Sequence, residues 1–107
     1  MDLRRDKRFP VSLFSVVIGS TFGESSGIAV NVSRQGCLID ASSRVNVGDV
    51  VDVRLAVPGE ASPIHIQRAA VRWNLVGKIG VGFITVAPAE QDRLDQLLAR
   101  MEQGQQD

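Results

Sequence analysis

With 107 residues, 44% apolar and 22% charged, the chain suits one domain large enough for a real core. Its 12 Lys plus Arg balance its 12 Asp plus Glu, which argues against a broad non-specific nucleic-acid surface but leaves room for a compact cationic site. One cysteine, Cys37, and one histidine, His65, exclude an intrachain disulfide and a Cys/His zinc site.

The opening MDLRRDKRF carries Arg4, Arg5, Lys7 and Arg8 and shows no periodicity, so residues 1–9 are expected to form a flexible arm. No apolar stretch of signal-peptide length follows it, and no window approaches about eighteen uninterrupted apolar residues. A soluble chain without membrane insertion is expected, with the cytoplasm as its compartment.

From Pro10, PVSLFSVVIG has the Val, Ile and Phe content of a strand. Thr21 to Gly27, with two glycines and two serines, reads as a hairpin connection. IAVNVS is the next strand, SRQG breaks it, and GCLIDA starts another. Cys37 falls in this apolar run and reads as a buried, inert thiol. In Asp49–Val57, Val51, Val53, Leu55 and Val57 alternate with Asp52 and Arg54, as in a half-buried antiparallel strand.

PGEASP is a turn. Ile64–Leu75 is a long strand with Ile64, Ile66, Val71 and Trp73 as core candidates and a bend or bulge at Ala69–Ala70. After a short VGK connection, IGVGFITV is the last strand, its glycines pointing to tight packing or close backbone approach. The period then changes. Pro88 suits a first helical position, Glu90 the first turn, and Leu94, Leu97, Leu98 and Met101 form one apolar stripe. Asp92, Arg93 and Asp95 are the expected wet face. Strands of this number followed by one helix predict an all-β fold, a small antiparallel barrel whose closure removes sheet edges. An open sandwich fits the same pattern.

Two stretches carry chemistry. Arg4 and Arg8 frame an R-x-x-x-R spacing, and guanidinium groups offer planar donor pairs to phosphate oxygens and to the O6/N7 edge of guanine. Short basic termini also serve solubility alone. In NVSRQG, residues 31–36, Asn31 and Ser33 are two apart, so both can face one side of an extended segment, and Gly36 permits a turn or close approach. Asn, Ser and Gly equally mark an ordinary turn.

Taken together, RRDKR at 4–8 and NVSRQG at 31–36 resemble the paired motifs of the PilZ domain family, R-x-x-x-R followed by [D/N]-x-S-x-x-G. Asn31 fills a position more often held by Asp. AAVRWNLVGKIGVGFI also looks like the family's Val-x-Trp strand followed by Gly-Val-Gly-Phe. The likeness covers nearly the whole chain, 1–107, as a single domain. It implies a six-stranded antiparallel β-barrel with a C-terminal α-helix that binds the bacterial second messenger cyclic di-GMP on its outer face.

Carried over, Arg4 and Arg8 would meet phosphates and guanine edges, with Arg5 doing either or stacking. Asn31 and Ser33 would bond a guanine, and Gly36 would keep the surface clear. Less central are Arg34, as a phosphate contact or a solvated side chain, and Asp40, orienting an arginine or ending a strand. Trp73 shares a face with Val71 and reads first as core, with base stacking as the alternative the resemblance offers. His65 reads as a surface strand residue.

The expected protein is a non-enzymatic receptor whose arm changes conformation on binding and which signals to a partner protein. It needs no cofactor or metal and no DNA or RNA partner. A nucleotide-independent interaction adaptor of the same fold is the alternative. Carboxylates are present, but none pairs in a pattern suited to acid–base catalysis.

Overall fold

The computed structural model describes residues 7–20, 23–41 and 45–104. Six strands, β1 (Phe9–Gly19), β2 (Gly23–Val32), β3 (Gly36–Asp40), β4 (Val50–Leu55), β5 (Ile64–Leu75) and β6 (Lys78–Thr85), precede one helix, α1 (Pro88–Gly104). The strands close into an antiparallel barrel in the order β1-β2-β3-β6-β5-β4. Closure by β1 against β4, with Ser15 opposite Leu55 and Val17 opposite Val53, decides between barrel and sandwich.

The alternation expected for the fourth strand holds: Val51, Val53, Leu55 and Val57 are buried. They meet Val17, Ile39, Ile64, Ile66 and Ile79 in the barrel core. The helix stripe closes on the same core. Leu94 and Leu97 are buried in it, while Leu98 and Met101 pack at its edge. Pro88 and Glu90 stand in the first turn, and the Glu90 carboxylate accepts the His65 backbone N–H at 2.8 Å, tying the helix start to β5. No helix among the described residues is long and apolar enough to cross a membrane.

Three expectations need correction. Gly23–Gly27 is strand, not connection: it pairs from Gly19↔Gly23 to Ser15↔Gly27, so cross-strand hydrogen bonding to β1 overrides the weak strand preference of Gly and Ser. Phe9 belongs to β1, where it pairs with Val32, and is 4% exposed, so it is not part of an exposed arm; residues 1–6 lie outside the described residues. Arg93 is not part of a wet face. Its guanidinium donates to Glu60 and Glu90 and to the Ser62 and Pro63 carbonyl oxygens, fastening α1 to the β4–β5 turn.

That clasp has a pH signature. The Arg93 hydrogen bond holds the Glu60 carboxyl below its ordinary value of 4.5, helped by Arg100. A carboxylate depressed in the folded state stabilises above its ordinary pKa, and this contribution disappears as pH falls through the folded value. Arg93→Ala should therefore lower Tm at neutral pH, with the gap to wild type narrowing as Glu60 protonates. Thermal melts across acidic pH read this directly. Superimposed Tm curves for the two proteins would show that the clasp carries no stability, and parallel offset curves that the ionisation of Glu60 adds none of it.

Candidate functional site

Sequence alternation alone would send Asn31 and Trp73 into the core, since each lies two residues beyond an inward side chain, Ala29 and Val71. Both are turned outward by irregularities of register. Ala29 pairs with Ile39 but Asn31 with Leu38, and Val71 pairs with Val81 but Trp73 with Gly80. In each case β2 or β5 spends one more residue than its partner, which reverses the parity of the residues beyond the bulge. Val71 is 1% exposed and Trp73 39%. The core reading of Trp73 is thus overturned by a bulge one step beyond the anticipated Ala69–Ala70 position. A second irregularity does fall there, between Arg68 and Ala69.

The outward-facing residues line a groove of about 730 Å³ across the outer face of β2, β3, β6 and β5. That volume is in the range of small-molecule sites, roughly 300–1,000 Å³. One end is built where the two motifs meet. Arg8, at the root of β1, donates from Nη1 to Asn31 Oδ1 at 2.9 Å. This leaves the Asn31 amide nitrogen and most of the guanidinium donors available. Gln35, Leu38 and Phe83 continue the wall, and Trp73 and Arg72 close the far end.

The floor is glycine. A Cβ on Gly80 would overlap the Trp73 indole, and one on Gly82 would come within 2.8 Å of Arg72 Nε. The close approach foreseen for the last strand's glycines is therefore made by neighbouring side chains. Among the described residues, Arg8 and Arg72 are the charged side chains on the wall, and no carboxylate joins them. A groove bearing two cations in a protein of formal net charge +0 is shaped for an anion.

The NVSRQG turn supports this floor from below. Gly36 faces Gly82 across β3–β6, and a Cβ there would overlap the Val81 carbonyl oxygen. The Phe83 N–H donates to the Gln35 carbonyl at 2.7 Å, fixing the turn to β6. Ser33 does not share a face with Asn31. It is 1% exposed, and its hydroxyl accepts from the Gln35 N–H at 3.2 Å and donates to the Gly36 carbonyl at 3.3 Å. The strand ends at Val32, so alternation stops and the serine is captured by nearby backbone groups.

Other expected contributors lie elsewhere. Arg34 points to the helix, its Nε 3.1 Å from Asp95 Oδ1, so it bridges turn and α1 instead of facing the groove. It helps line a smaller cleft of about 220 Å³ with Lys7, Phe9, Leu98 and Glu102. Asp40 sits at the end of β3 opposite Ile28 and Lys78, beyond the groove wall. His65 is half-buried and paired with Asp52 on the β4–β5 face. Cys37 is buried beneath the groove, and burial pushes its thiol up to about 12, outweighing the nearby charge of Arg8. Arg4 and Arg5 lie outside the described residues.

Arg72, Gln35, Leu38 and Phe83 were not anticipated as site residues. Strict alternation would set Arg72 and Trp73 on opposite faces; only the bulge between Val71 and Trp73 lets both look outward.

The molecule is thus a small closed barrel with a cationic groove on its outer face. The model of the PilZ domain family matches residues 2–100. The chain belongs to that family, whose members are ligand-binding and adaptor domains that include receptors for cyclic di-GMP. In fold it is similar to the Bacillus subtilis inhibitor of motility, MotI/DgrA, with a TM-score of 0.74 and 18% identity over 94% of this chain and 51% of that one. The chain thus spans about half the length of that protein. It is also similar to the PilZ domain of CeSA from a cellulose synthesizing bacterium, with a TM-score of 0.71 and 16% identity over 90% of this chain and 98% of that one. No curated protein matches the chain in sequence.

Proposed function

We propose that the protein is a non-enzymatic, cytoplasmic receptor for cyclic di-GMP. The observation that carries this is the 2.9 Å Arg8–Asn31 hydrogen bond on the wall of a carboxylate-free groove. It joins the second arginine of R-x-x-x-R to the first residue of N-x-S-x-x-G, the two motifs that mark the family's nucleotide binders. Arg8 supplies charge-assisted donors to a phosphate or a guanine edge, and the Asn31 amide bonds a base. The Trp73 ring offers a stacking surface for a second base.

Ser33 and Gly36 serve by shape: one holds the turn, the other lets β3 and β6 approach. Arg4 and Arg5, with Arg8, form the arm that closes on the ligand. Ordering of that arm creates the surface a partner protein recognises.

Calorimetric titration with cyclic di-GMP at fixed ionic strength tests the reading. Saturation well below the millimolar range is expected, and absence of saturation up to about 100 µM ligand would overturn it. Amide resonances then separate receptor from adaptor. Ligand-induced shifts should concentrate at Arg4–Arg8 and Asn31–Gly36.

A further inference from the structure

We infer that Arg72 is a ligand-binding residue that engages the end of the nucleotide remote from Arg8, and that it makes the groove selective for a dinucleotide over a mononucleotide. The inference rests on the proposed cyclic di-GMP reading and adds a residue outside both motifs.

The bulge between Val71 and Trp73 lets two consecutive side chains leave the core together. Arg72 leans from β5 over Gly82 of β6, and Gly82 is the cross-strand partner of Gly36. Its guanidinium therefore overlies the strand next to the glycine of N-x-S-x-x-G, while Trp73 lies beside it over Gly80. Asn31 stands on β2 and the Arg72 guanidinium lies over β6, two strand spacings away, or roughly 10 Å along the sheet at about 4.8 Å each.

The groove thus has a cation at each end and an aromatic ring at one of them. Neither arginine has a carboxylate partner among the described residues, so both guanidinium groups keep donors free for an anion. A mononucleotide has one base and one phosphate group and engages one end. A cyclic dinucleotide presents two phosphates and two bases and engages both.

Calorimetry on the full chain tests this with wild type, Arg8→Ala, Arg72→Ala and Arg72→Lys, each titrated with cyclic di-GMP and with GMP. Arg72→Ala should weaken cyclic di-GMP binding about tenfold or more, leave the weak GMP binding unchanged, and be only partly restored in Arg72→Lys. Gly82→Ala provides an independent perturbation. Its methyl group displaces the flexible arginine without removing it and should weaken cyclic di-GMP in the same direction, with thermal melting confirming the fold.

If Arg72→Ala binds cyclic di-GMP as wild type does while Arg8→Ala loses affinity, the inference fails and the receptor reading stands. Equal losses for GMP and cyclic di-GMP overturn the selectivity. A wild type that never saturates overturns both readings together.

Discussion

Gly36→Ala is expected to lower the unfolding free energy by about 2–3 kcal/mol, a cost typical of overpacking. The new methyl group would overlap the Val81 carbonyl oxygen and crowd the Gly82 Cα at 3.3 Å. Both are backbone atoms of β6, so no side-chain rotation relieves the clash. The strands must separate where Gly36 pairs with Gly82. For a domain of this size the loss corresponds to a fall in Tm of roughly 8–24 °C.

Gly104→Ala is the matched control, because a Cβ there meets nothing within 4 Å. Urea denaturation of the two variants beside wild type checks the expectation, and a Gly36→Ala midpoint equal to that of wild type would refute the close approach. The same substitution should also weaken ligand binding. It shifts the floor under Gly82 and the Gln35 carbonyl that the Phe83 N–H holds.

Arg8→Ala should separate binding from folding. The side chain is exposed, and its hydrogen bond is to Asn31 at 2.9 Å, so stability should change by no more than about 0.5 kcal/mol. Affinity for cyclic di-GMP should fall by at least about 1.5 kcal/mol, close to tenfold, because a charge-assisted contact is lost. Asn31→Ala alone and the Arg8→Ala/Asn31→Ala double variant complete a cycle. The single losses should not add, since Arg8 and Asn31 position one another. Additive losses would mean that the two act separately. Unchanged affinity in Arg8→Ala would remove that residue from the site.

Much of the barrel was legible because strand alternation and helical spacing are local signals. Val51, Val53, Leu55 and Val57 announce one buried face, and Leu94, Leu97, Leu98 and Met101 announce a helix stripe. What misled was also local. The Gly and Ser content of Gly23–Gly27 suggested a loop, yet hydrogen bonding to β1 makes it strand. Arg34 sat inside a binding motif, yet Asp95, far away in sequence, draws it to the helix. Ser33 sat two residues from Asn31, yet the strand stops between them.

By itself the sequence determined the run of strands with its late helix, the family resemblance, and the presence of an arginine pair and an Asn-x-Ser-x-x-Gly stretch, because each is written in residue type and short spacing. Tertiary structure alone decided which side chains share the groove. Alternation predicts a face only while two strands keep step. Where β2 and β5 each spend an extra residue, every later side chain changes sides, and the pairing that forces this lies in another strand. That is why Trp73 left the core to lie beside Arg72 over the glycines of β6, and why its position could not be read from β5 alone.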